Sequence, residues 1–144
     1  MHAALAIVAV ALLGAGTPAV PAAPRVALDF SGRWELVRHR NDGRTDGASA
    51  RTFHAGDAAN IAWRGRVIDV YGVTGPTGGY GVLVMPDRRN LTLNFYSPVK
   101  HAHVLLYRST PVPFGNHFTA IVTVPDHDAR SRGTYVNIDE VDVR

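Results

Sequence analysis

The chain is 144 residues long, with fifteen basic and twelve acidic residues, a formal charge of +3 and no cysteine. That length suits one domain with a buried core, and the lack of cysteine removes disulfides, Cys-ligated zinc and thiol catalysis together. The basic residues are scattered between Arg25 and Arg144 with no run of five or six, which describes a solvated mixed surface rather than the clustered footprint of a nucleic-acid binder.

Met1 to Gly16 is nearly all Ala, Leu, Ile, Val and Gly, and the Pro/Ala-rich Thr17 to Pro24 follows before the first charged residue, Arg25. Residues 1–24 read as a secretory signal peptide and cleavage region. The apolar stretch Ala3 to Gly14 is too short to span a bilayer, and Ala19, Ala22 and Ala23 offer cleavage points. The amino-terminal region carries only its amine and His2 where Lys or Arg is usual, so a retained anchor or a mis-set start is the alternative. The expectation is a secreted protein whose residues 25–144 form a single domain, without stable membrane insertion after signal removal.

Beyond Arg25 the hydrophobic period is two, and no amphipathic helical window stands out. The spacing predicts an all-β domain with strands at Arg33 to Arg38, Ala50 to His54, Ala58 to Trp63, Arg66 to Tyr71, Gly81 to Met85, Leu91 to Tyr96, His103 to Tyr107, His117 to Val124 and Tyr135 to Val143. Gly, Pro, Asn and Asp turns separate them, a rhythm that suits a sandwich. Alternation assigns Leu91, Leu93 and Phe95 to the core, and likewise Phe118, Ala120, Val122 and Val124 against His117, Thr119, Ile121 and Thr123. Trp63 shares parity with Ile61, and Trp34 with Leu36, so both tryptophans read as core. In the last strand Val136 and Ile138 have one parity and Val141 and Val143 the other. A β-bulge at Asp139-Glu140 would keep all four inside.

The order of these segments resembles a galactose-binding-like jelly roll, similar to bacterial carbohydrate-binding modules. The resemblance rests on Trp34, on Gly56-Asp57-Ala58-Ala59, on the run Ile61, Trp63, Gly65, Ile68, Val70, Tyr71, Gly72, and on Gly79 to Asp87. Phe95-Tyr96-Ser97, Val104 to Tyr107, Gly115-Asn116-His117 and the terminal strand complete it. Arg88 stands where that family has the Gly of an Asp-Gly turn. The resemblance implies a two-sheet antiparallel β-sandwich and a non-catalytic, lectin-like module that binds a polysaccharide or glycan through loops at one end. It also implies a glycan-processing enzyme, separately encoded, as a partner, and gives His117 a role in the fold.

Sugar recognition needs an aromatic face for the pyranose and planar polar groups for its hydroxyls. The candidate loops are His39 to Gly47, Val73 to Tyr80, Ser97 to His103 and Asp126 to Arg132, and the candidate ligand-binding residues are Tyr80, Arg40, Asp42, His101, Asp126 and Asp128. Tyr80, flanked by glycines that would leave its ring open, is the platform candidate; a tyrosine packed on a sheet edge is the plain alternative. The same residue types also make ordinary solvated loops.

His101-x-His103 supplies two possible zinc ligands without a nearby third. No cofactor is expected, apart from a structural calcium that the resemblance raises and that Asp29 and Glu35 with Asp139 or Asp142 could hold. The paired glutamates at the start of the calcium-binding relatives are missing here. A Gly-x-Ser-x-Gly elbow, a phosphate-cradling glycine loop and a His-Glu-x-x-His motif are all absent, so no enzyme activity is expected. The alternative to glycan binding is an adhesion or protein–protein assembly module using a sheet face around Tyr96, Ile121 and Tyr135.

Overall fold

Alternation of apolar and polar residues builds ten strands: β1 (Arg25–Ser31), β2 (Glu35–Arg38), β3 (Ala48–Thr52), β4 (Ala58–Gly65), β5 (Ile68–Thr74), β6 (Tyr80–Val84), β7 (Asn90–Asn94), β8 (His101–Arg108), β9 (Gly115–Thr123) and β10 (Val136–Val143). The computed structural model describes residues 23–38, 48–87 and 89–144. The expected signal segment, apart from its last two residues, and the candidates Arg40 and Asp42 lie outside the described residues.

The strands form two antiparallel five-stranded sheets, one ordered β1-β4-β9-β6-β7 and the other β2-β3-β10-β5-β8. The pairings are nested. The β6–β7 hairpin is innermost, then β5 with β8, β4 with β9, and β3 with β10. Folding such a long hairpin over on itself alternates strands between two sheets, which is how a jelly roll is made. β1 and β2 extend the two sheets at their edges.

The sheets bury Ile61 and Trp63 of β4, Ile68 and Val70 of β5, Leu83 of β6, Leu93 of β7, Ile121 of β9, and Val136, Ile138 and Val141 of β10. Phe95, just past β7, is completely buried among them. Each such side chain contributes about 1.5–3 kcal/mol on leaving water. Trp63 donates its indole N–H to Thr119 Oγ1 at 3.0 Å, so the core tryptophan leaves no polar atom unpaired. Trp34 is half-buried, its ring 4.9 Å from that of Phe30. His117 packs on Trp63 with ring centroids 4.4 Å apart and places Nε2 3.1 Å from the Pro113 carbonyl oxygen.

The expected bulge is present: Ile138 pairs with Gly72 and Glu140 with Tyr71, leaving Asp139 as the extra residue. Three expectations need correction. β1 was not among the expected strands, although Val26, Leu28 and Phe30 alternate inward along it. The chain breaks at Gly32, with φ +108°, so β2 starts at Glu35 rather than Arg33. The faces of β9 are reversed: Thr119, Ile121 and Thr123 are buried, while Phe118 is 56% exposed. Thr119 is tolerated inside because it accepts the Trp63 proton, and Thr123 because its hydroxyl donates to the His54 carbonyl oxygen. Edge position also leaves Leu36 and Leu91 exposed despite their core parity.

Candidate functional site

The registers gather the turns that follow β1, β3, β5, β7 and β9 at one end of the sandwich. Three of the four candidate loops are there. The strand ends Arg38 and Ala48, which flank the fourth, pair with each other at the opposite end of β3.

On the first sheet's side of this end, Tyr80 opens β6 opposite Asn94 of β7, and Tyr96 follows Asn94 closely. Asp128 joins them from the β9–β10 loop. Its carboxylate accepts from the Arg130 backbone N–H, from Arg130 Nε and Nη2, all at 3.0 Å, and more distantly from Asn94 Nδ2 at 3.4 Å. The Arg130 side-chain hydrogen bonds are the main reason that this carboxyl is held far below the usual carboxylate range. Asp128 is therefore an ionised anchor, unsuited to giving up a proton. Arg130 in turn lies 4.9 Å over the Tyr96 ring. Asp126 contributes its carbonyl oxygen, which accepts the Tyr80 N–H at 3.3 Å, while its side chain is exposed.

The glycines beside Tyr80 have a different purpose from the one the sequence suggested. A Cβ on Gly79 would lie 2.6 Å from the Thr134 backbone, and one on Gly81 would lie 3.0 Å from Ile121 Cγ2. They permit close packing beneath the loop and core rather than uncovering the Tyr80 ring, which is half-buried.

On the second sheet's side, a cleft of about 140 Å³ opens on the outer surface. Its floor is Arg51 of β3 and Asn137 of β10, which are register partners, and its walls are the 75–78 turn, Lys100 and Tyr135. The turn is braced from behind: buried Ser131 donates its hydroxyl to the Gly78 carbonyl oxygen at 2.6 Å and accepts from the Gly133 N–H. Arg51 is fixed twice, by an ion pair with Glu35 and by stacking 4.9 Å over the Tyr135 ring. Asn137 is only 9% exposed, and its Oδ1 has no hydrogen-bond partner among the described residues. A buried acceptor of that kind carries an unmet cost of about 1–3 kcal/mol. His101 begins β8 opposite Thr74, next to Lys100, and so stands at the rim of this cleft.

Tyr80, Asp126, Asp128 and His101 thus share one end of the molecule. The calcium candidates do not converge: Asp29 is exposed on β1 in register with Asn60, Glu35 is bonded to Arg51, and Asp139 sits in the β10 bulge with His103 Nδ1 at 3.4 Å. Asp142 accepts from the following backbone N–H, and among the described residues no group of three metal-ligating side chains forms. The assembly patch expected around Tyr96, Ile121 and Tyr135 is not built either, because Ile121 is in the core. A broader hollow of about 410 Å³ is lined by Arg25, Asn116, Trp63 and His117; there the Trp63 indole N–H is committed to Thr119 and His117 Nε2 to the Pro113 carbonyl oxygen.

Sequence reasoning did not select Arg51, Lys100, Asn137 or Tyr135 as ligand contacts. Arg51, Asn137 and Tyr135 converge through the β3–β10 register, which links residues far apart in sequence and leaves no local signal, while Lys100 joins them from the candidate loop Ser97 to His103.

The fold and this end cleft define an all-β sandwich with a half-exposed aromatic and polar rim. A Paenibacillus xanthan lyase structure is similar to it, with a TM-score of 0.55 and 11% sequence identity over 79% of this chain. The matched part is 12% of that lyase chain, and identity this low shows the fold alone. No family model and no curated protein matches the chain. Among the described residues no helix is long and apolar enough to cross a membrane.

Proposed function

We propose that this protein is a secreted, non-catalytic carbohydrate-binding module, similar to galactose-binding-like domains, that holds a glycan at the β5–β6 end of its sandwich. The observation that carries the reading is the gathering of three half-buried tyrosines, Tyr80, Tyr96 and Tyr135, with Asn94, Arg130, Arg51 and Lys100 at one end. Rings partly open to solvent suit the apolar face of a sugar, and fixed amide and guanidinium groups suit its hydroxyls. The similarity to part of a xanthan lyase supports a carbohydrate setting and a role beside a glycan-processing enzyme. The described cleft residues include two cations, a tyrosine and an amide, groups that suit holding a glycan's oxygens, and this supports the non-catalytic reading.

The test is a binding screen of the full chain against soluble glycans and insoluble polysaccharides, with calcium and then with chelator. Binding that Tyr96→Ala or Tyr135→Ala weakens at least about tenfold, with unchanged circular dichroism, supports the reading. A folded protein that binds no glycan overturns it. The second reading, assembly through a sheet face, draws on Phe118, which projects from the outer face of the first sheet near Ala62 and Ala120. Concentration-dependent self-association that Phe118→Ser abolishes would favour it.

A further inference from the structure

We infer that the cleft on the second sheet selects carboxylated sugars, with Lys100 and Arg51 reading the carboxylate and Tyr135 supporting the ring. This deepens the glycan-binding reading and rests on it.

Three observations point the same way. Among the described residues, the two charged side chains that line the cleft are both cations. Arg51 is only partly balanced there: Glu35 holds its Nε from the side, the guanidinium lies over Tyr135, and the group is still 38% exposed. Lys100 has no carboxylate within ion-pair range among the described residues, so it brings an uncompensated positive charge to the opposite wall. A guanidinium presenting its remaining N–H groups into the same small cleft as an ammonium is suited to a planar carboxylate.

The second observation is the polar lining around those cations. Thr74, Thr77 and the Tyr135 hydroxyl-bearing ring line the same cleft. A ligand that carries an anionic group and hydroxyls on one small frame matches such a lining, and a hexuronate ring has both.

Third, the size is right for one ring. About 140 Å³ is well below the usual volume of a drug-sized or nucleotide pocket. The bracing of the 75–78 turn by Ser131, and of Arg51 by Glu35, means that little ordering cost is left to be met on binding.

The experiment uses the full chain and hexuronate oligomers of several linkages, each paired with its carboxyl-reduced neutral counterpart, measured by calorimetry at low and moderate salt. The expected result is about tenfold tighter binding of at least one acidic oligomer than of its reduced form, with a preference that shrinks as salt rises. Lys100→Gln and Arg51→Gln should each lower the ratio of acidic to reduced-form affinity at least about threefold, whatever each does to the reduced form's own affinity. Lys100 is exposed, so its variant carries the test if Arg51→Gln fails to fold. Equal affinity for acidic and reduced forms, or a preference that survives in Lys100→Gln, overturns the inference while leaving glycan binding intact. Failure of every oligomer and polysaccharide to bind removes both readings together.

Discussion

Gly32 and Asp57 are locked against each other: Gly32 has φ +108°, and a Cβ there would lie 2.0 Å from the Asp57 carboxylate oxygen. That carboxylate accepts from Thr52 Oγ1 at 2.6 Å and from the Arg33 N–H at 2.9 Å, and the Asp57 carbonyl oxygen accepts from the Thr123 N–H at 2.9 Å. One aspartate thereby ties the β1–β2 turn to β3 and β9 across both sheets. Gly32→Ala should cost roughly 1–2 kcal/mol for the left-handed backbone alone, and more for displacing the carboxylate. A thermal melt should fall by several degrees; an unchanged midpoint would show that the turn relaxes freely.

Acid should act through Asp69. It is buried on β5 and accepts from Arg108 Nε at 2.8 Å and Nη2 at 3.0 Å, with Arg144 Nη1 as a third donor. The Arg108 hydrogen bond is the largest influence on its carboxyl, and the net result, against burial, is a value below the ordinary 3.8. A carboxyl whose folded pKa is depressed contributes its full stability above the unfolded value and loses it as pH falls through the folded value. Asp57 is lowered too, chiefly by the Thr52 hydroxyl, and acts in the same window. Urea unfolding should show stability flat above about pH 5 and falling below about pH 3.8. Asp69→Asn should be less stable at pH 7 and less sensitive to acid; parallel pH curves for the two proteins would sink the assignment.

The two faces of β9 give a clean contrast between neighbouring substitutions. Ile121 is completely buried and Phe118 is 56% exposed, so Ile121→Ala should cost about 2–5 kcal/mol and Phe118→Ala little more than about 0.5. Comparable losses from both would return Phe118 to the core. This strand also shows what the sequence can and cannot carry. The β-sandwich, nine of its strands and the β10 bulge follow from period-two alternation and punctuating turns, because those signals are local. In β9 alternation offers two candidate faces, Phe-Ala-Val against Thr-Ile-Thr, and apolar content favours the wrong one. The deciding fact is the Trp63 indole, 56 residues away, which needs the Thr119 hydroxyl.

The candidate site was legible only in its loops. Tyr80 and Asp128 stand out locally as an aromatic and a loop carboxylate, and they do meet at one end through Asn94 and the Arg130–Tyr96 stack. The cleft beside them is made of residues that look ordinary in sequence: Arg51 and Asn137 within strands and Lys100 ahead of one. Arg51→Ala should therefore do two things at once, removing the cation over Tyr135 and releasing Glu35. Since Glu35 is 56% exposed, the ion pair itself should matter little to stability, within about 1 kcal/mol, while the cleft should lose one of its two cations. Chemical denaturation and glycan titration on the same variant separate the two effects; a loss of stability well above that figure would make Arg51 chiefly structural.

The extra residue in β10 sets the final test. With Asp139 in place, Val136 and Ile138 pair on one side of the shift and Val141 pairs with Val70 on the other, and all three are buried. Deleting Asp139 restores an unbroken alternation, which must turn either the first pair of apolar residues or Val141 and Val143 out of the core. Exposing two such side chains costs about 3–6 kcal/mol, a large part of the 5–15 kcal/mol that holds a domain of this kind together. Asp139→Ala keeps the chain length and loses only the side chain that faces His103 Nδ1 at 3.4 Å, so it should be much the milder change. Urea unfolding of the two variants decides the matter: the deletion should abolish or sharply weaken the cooperative transition that Asp139→Ala retains. Equal stability would mean that β10 can re-register without penalty, and that the bulge is not what keeps Val141 inside.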